Sequence, residues 1–253
     1  MRSRPMNSRA DGSDVGKKLP RPRAILCISA HWETWGRKVT AMTHPRTIHD
    51  FGGFPQDLYE VEYQAPGSAW LAAEARNTIK STSVSLDEDW GLDHGCWSVM
   101  KQMFPAADVP IVQLSLDSTR PARDHYEIAR ELAPLRDMGV LIIGSGNIVH
   151  NLRRIIVTGN WLDDLNRPFG LDWAIEASER ITSLIRKNNF DALIEYQALG
   201  KAVQLAVPTP EHYLPMLYAI ALKQDDESVA FFNDKPIAGS LTMTSLLIDR
   251  DHA

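Results

Sequence analysis

With 253 residues, 44% hydrophobic and 23% charged, the chain is long enough to bury a substantial core, and one large domain is expected. A formal net charge of -5 without a long basic block argues against a nucleic-acid partner, and no apolar run approaches the roughly 20 residues needed to cross a bilayer. Two cysteines, Cys27 and Cys96, cannot build a disulfide framework and the polar start lacks the apolar stretch of a signal peptide, so a reducing, cytoplasmic location is expected.

Residues 1–20 are polar and aperiodic and predict an irregular leader, with a short basic cluster at Lys17, Lys18, Arg21 and Arg23; the domain proper is expected over 21–253. Ala24 to Ala30 is an apolar run rich in branched residues that predicts a buried strand, with His31 at its C-terminal end and Lys38 to Met42 as its neighbour. Pro45, Gly52, Gly53, Pro55, Pro66 and Gly67 predict a long loop over 44–67, and Phe51, Phe54, Tyr59 and Tyr63 mark it as an ordered, functional one. Ser68 is a candidate N-cap for a helix carrying Leu71, Ala72, Ala75 and Ile79 on one face.

Further along, Val84 to Leu86 predicts a short strand, Gly95 to Phe104 a helix starting just after His94, and Val109 to Leu116 another strand. A single helix is expected from Ala122 to Met138, stopped by Gly139, and then a strand over Val140 to Ile143. Residues 158–171 read as a connection. Ala174, Ala177, Ile181 and Leu184 mark an amphipathic helix, Glu211 to Leu222 another, and Gly239 to Ile248 a closing strand. Strands alternating with helices predict an α/β fold: a single domain with a central, mainly parallel sheet flanked by helices.

Ligands of such sheets bind beyond the C-terminal ends of the strands. Four histidines sit at strand ends or in polar turns: His31 in Ser29-Ala30-His31-Trp32, His94 in Leu92-Asp93-His94-Gly95, His150 in the segment from Gly144, and His212 in Pro210-Glu211-His212-Tyr213. Neutral imidazole is a common metal ligand and titrates near neutrality, so histidines delivered from distant segments suit a mononuclear metal site with an acid/base partner. Gly144-Ser145-Gly146 alternatively reads as a phosphate cradle, although it lacks the full glycine fingerprint and the Lys-Ser/Thr of a P-loop. His49 suits either the pocket mouth or a loop-stabilising role, His44 and His125 read as solvated, and His252 belongs to the tail. Glu211 is the spare carboxylate beside His212, but neighbours on a helix point apart, so it is not expected to be a ligand.

The words SAHW (29–32), TIHDFGGFP (47–55), YQAPGS (63–68), DHGCW (93–97), VPIVQLSLD (109–117), GSGNIVHNL (144–152) and PTPEHYLP (208–215) follow one another in order. Together they closely resemble the class III extradiol ring-cleavage dioxygenases, and more narrowly the DOPA 4,5-dioxygenase-like subgroup, from about Leu19 to Ile248. The resemblance implies an iron(II) centre that binds a catechol through both oxygens with O2 beside it, and opens the ring next to the two hydroxyls. Open positions on a facial ligand set serve that purpose. By their match His31 and His212 are metal ligands, His150 the acid/base residue and His94 a residue close to substrate or oxygen; Fe2+ is expected for activity, with Zn2+ able to occupy the site.

The family's opening word, Gly-His-Gly-Ser-Pro-Met-Asn, carries the first metal-ligating histidine; here Pro5-Met6-Asn7 is its remnant and Arg2 stands at the histidine's place. Arginine stays protonated and has no lone pair for a metal, so weak iron binding and impaired activity are expected. The expected partners are a small catechol and O2, with neither nucleic acid nor membrane. A non-catalytic module of the same fold, holding a small aromatic or a metal, is the alternative. A zinc hydrolase is disfavoured for want of a carboxylate partner.

Overall fold

The computed structural model describes residues 12–159, 163–164 and 167–250. Five strands, β1 (Ala24–Thr34), β2 (Arg37–Thr40), β3 (Val84–Asp87), β4 (Ile111–Asp117) and β5 (Val140–Ser145), form a central sheet in the order β3-β2-β4-β1-β5. β1 is parallel to β4 and β5, whereas β2 is antiparallel to β4 and parallel to β3. Helices cover both faces, so the inner strands are buried throughout, Ala24 to Ala30 and all of β4, and the polar residues they carry, Ser29, Gln113, Ser115 and Asp117, are buried with them.

The period of two along β1 splits the core into two layers. Leu26 and Ile28 face one side with Leu71, Ile128, Ile181 and Leu217. These come from α3 (Ala69–Thr78), α5 (Ala122–Glu131), α7 (Asp172–Arg186) and α10 (Leu214–Ala221), the numbering counting α1 (Gly12–Lys18), α2 (Gln56–Tyr59), α4 (His94–Met103), α6 (Ala133–Asp137), α8 (Phe190–Ile194) and α9 (Lys201–Ala206). Ile25 and Cys27 face the other side with Cys96, Trp97 and Met100 of α4. Two antiparallel hairpins lie outside the main sheet: β6 (Glu227–Phe232) with β9 (Ser245–Arg250), and β7 (Pro236–Ile237) with β8 (Leu241–Thr242).

Several expectations are corrected. The leader is not wholly irregular, because Gly12–Lys18 is helical with Val15 buried and Gly16 close against Met103 of α4. β2 lies next to β4 and β3, not next to β1. The single helix over 122–138 is two, broken at Leu132, since Pro134 has no N–H for the ladder and its ring crowds the preceding turn. The closing strand divides between β8 and β9, which pair with different partners in separate hairpins. The helix expected from Glu211 begins only at Leu214. His125 is fully buried, not solvated: its Nε2–H donates to the Asp117 carbonyl (3.1 Å), and Nδ1 lies 3.1 Å from the Tyr218 hydroxyl. Arg2 and the Pro5-Met6-Asn7 word lie outside the described residues.

Candidate active site

His31 is placed by an irregularity in β1. Between Ile28, paired with Leu114, and Glu33, paired with Leu116, β1 uses five steps where β4 uses two, a bulge of the kind that re-aims side chains at functional sites. Beneath it lies a buried polar network. Ser29 Oγ donates to Asp93 Oδ1 (2.7 Å), Gln113 Nε2 donates to Asp93 Oδ2 (2.7 Å), and Asp93 Oδ1 also accepts the Cys96 N–H (2.9 Å) as the N-cap of α4. That cap fixes the start of α4, whose first residue is His94. Gly95 follows because a Cβ there would meet Ser29 Oγ at 2.6 Å and His31 Cδ2 at 2.8 Å.

On the other side, the chain leaving β5 carries Asn147 and His150. The segment preceding α10 carries Glu211 and His212 in a turn. Gly146 lets the two meet: a Cβ there would stand 2.4 Å from the His212 carbonyl oxygen. The glycines of Gly144-Ser145-Gly146 thus serve close backbone approach, which accounts for them without a phosphate. Asn147 Nδ2 donates to the Thr242 carbonyl (2.8 Å), which turns Oδ1 toward His212 Nδ1 at 3.3 Å. An amide oxygen only accepts, so Nδ1 of His212 carries the proton and Nε2 keeps a bare lone pair.

These segments bring four imidazoles together. The His31 ring lies 3.9 Å from that of His94 and 5.1 Å, edge-on, from that of His212, while His150 stacks on His212 at 3.4 Å and 9°. Burial, and then the proximity of His150, His31 and His94, push His212 down to about 2. Burial and His94 likewise lower His31 against the pull of Asp50, Asp93 and Glu211, and burial lowers His150 against that of Glu211. All three rings are therefore neutral near pH 7 with lone pairs to offer, and a divalent cation would relieve their crowding.

Carboxylates enter from both sides. Asp50 Oδ2 lies 3.3 Å from His31 Nδ1 and 3.0 Å from His94 Nδ1. His31, Asp50 and His94 present ligand atoms all within 4.8 Å of one another, and so do His150, Glu211 and His212. The helix argument against Glu211 thus fails, because residues 211–213 are a turn and both side chains reach the same region. Either group could hold a divalent metal ion.

His31, His94, His150 and His212 therefore converge as expected, whereas His49 stabilises the loop through Nε2 and the Val61 carbonyl (2.9 Å). Sequence reasoning missed Asp50, Asn147 and the Asp93–Gln113–Ser29 network. Asp50 lies within TIHDFGGFP (47–55), but only the fold reveals its partners.

A family model described as the catalytic LigB subunit of aromatic ring-opening dioxygenase matches residues 12–231. The chain is 43% identical over 240 residues to a 4,5-DOPA dioxygenase extradiol of Escherichia coli K12, covering 92% of this chain and 85% of that protein. It is 33% identical over 228 residues to one of Beta vulgaris, covering 89% and 82%. The crystal structure of an uncharacterized Escherichia coli K12 protein superposes with a TM-score of 0.79 at 38% identity, covering 93% of this chain and 89% of that one.

Proposed function

The chain belongs to the LigB family of aromatic ring-opening dioxygenases, and from that premise we propose that it opens the ring of a DOPA-like catechol with O2, at a non-heme iron(II) held by His31 and His212. The observation that carries this reading is the meeting of His31, His94, His150 and His212, from four separate segments, with neighbouring rings 3.4 to 5.1 Å apart.

Iron(II), when bound, would bring catechol and O2 together and let electrons pass between them. The protein's own contributions follow from its residues. Burial keeps His150 neutral, so it can take a hydroxyl proton from the entering catechol and return it later, while its stacking on His212 keeps it beside the ligand set. His94, at the start of α4, faces Phe51 edge-on at 5.3 Å and borders the substrate region. Neutral imidazole ligands leave more of the metal's charge uncompensated than carboxylates would, favouring a catecholate.

The test is to load the protein anaerobically with iron(II) and follow O2 uptake with DOPA and simpler catechols. A ring-opened product with matching O2 consumption is expected, at a rate lowered by the arginine that stands at the place of the family's first histidine ligand. His150→Ala should keep the iron and lose about 10²–10⁴-fold in kcat, while His31→Ala and His212→Ala should lose the iron. Tight zinc binding with no O2 uptake by the iron-loaded protein would favour the non-catalytic alternative.

A further inference from the structure

We propose that Asp50 is the positioning residue of this site: its carboxylate sets the tautomer of both His31 and His94, leaving Nε2 as the bare nitrogen on each ring. The inference rests on the reading of the site above only in taking a metal as the ultimate beneficiary.

Asp50 Oδ2 stands 3.3 Å from His31 Nδ1 and 3.0 Å from His94 Nδ1. A carboxylate offers only lone pairs, so an unprotonated Nδ1 facing it at that range would set lone pair against lone pair. Both rings therefore carry a proton on Nδ1, which in the neutral form of either ring leaves Nε2 bare. At His94 the contact is electrostatic and not an aligned hydrogen bond, since this buried nitrogen has no hydrogen-bond partner of good geometry. Asp50 Oδ1 meanwhile accepts the His94 backbone N–H at 2.8 Å, so one side chain holds that residue at two points. A carboxylate behind a ligand imidazole is a recurrent way to fix its tautomer and orientation.

Asp50 is itself held in place, as a positioning residue must be. The Ile48 N–H donates to the Leu92 carbonyl (2.8 Å), the Leu92 N–H to the Arg46 carbonyl (2.8 Å), and Trp97 Nε1 to the Ile48 carbonyl (2.9 Å). His49 ties the other side of the loop to Val61. The loop is thus laced to the segment entering α4, and Asp50 joins that segment to β1.

The test uses metal-free protein labelled with ¹⁵N, long-range ¹H–¹⁵N spectra to read the tautomers, and His31→Gln and His94→Gln to assign the signals. Both rings should be Nδ1–H in the wild type. In Asp50→Asn both should move toward Nε2–H, and the zinc dissociation constant, measured against a competing chelator, should rise about 10–100-fold. Asp50→Glu should recover part of that loss, and Asp57→Asn, an exposed change in α2, should match the wild type. An Nε2–H tautomer at His31 or His94 in the wild type would overturn the inference, as would wild-type tautomers and zinc affinity in Asp50→Asn. The wild-type spectrum decides even if Asp50→Asn does not fold. Because it is recorded without metal or catechol, a failed activity assay and a failed tautomer assignment are separate results.

Discussion

The fully buried His125 and the half-buried His212 are both held neutral, but the surroundings give them different work. His125, on α5, is enclosed by the end of β4 and Tyr218 of α10, away from the four converging imidazoles. Burial, and then the charge of Arg37, lower it to about 4, against about 6.5 in an unfolded chain. Between those values the unfolded chain binds a proton at this position that the folded chain refuses. The stability contributed is therefore complete above about pH 6.5 and lost as pH falls toward 4. Denaturant unfolding at pH 7 and pH 5 should show a loss in the wild type that His125→Asn reduces by about 2 kcal/mol. Equal losses in the two proteins would refute the assignment.

Among the elements, α4 and the bulged part of β1 work as one unit, because Asp93 caps the helix and holds Ser29 of the strand. Gly95 is the point at which they touch. Gly95→Ala would drive a Cβ into Ser29 Oγ and His31 Cδ2, and overpacking of this kind costs about 1–3 kcal/mol. The structure therefore predicts a lower melting temperature together with a loss of zinc affinity, since the displaced atom belongs to a proposed ligand. A variant that melts early yet binds zinc as the wild type does would show that His31 is not moved. The same close approach at Gly146 keeps the turn bearing His212 against the chain leaving β5.

For the whole molecule, the four histidines come from positions 31, 94, 150 and 212, so a metal bound among them ties β1, α4 and the segments around β5 and α10 together. Binding to the folded state alone at a hundred times Kd stabilises by about 2.7 kcal/mol. For a domain of this size that is an upward shift of about 5–10 °C in melting temperature. The wild type should show this shift on adding zinc or, anaerobically, iron(II), and His212→Ala should not. A shift that survives in His212→Ala would move the metal away from the proposed centre.

Much of this architecture is legible along the chain because its signals are local. The apolar runs that open β1 and β5 mark strands of a covered sheet, Ser68 caps α3 as its side-chain chemistry predicts, and the ordered words around His31, His94, His150 and His212 identify the family. What the tertiary structure alone decided are relations between distant segments. The apolar pattern of Lys38 to Met42 does not encode which strand lies beside it, and the polar residue His125 carries no local sign of its burial. Hydrogen bonding and packing between elements settle both. Asp50 and Glu211 make the same point at the site: a carboxylate's role depends on which imidazole it meets, and only the folded chain brings Asp50 to His31 and His94, and Glu211 to His150 and His212.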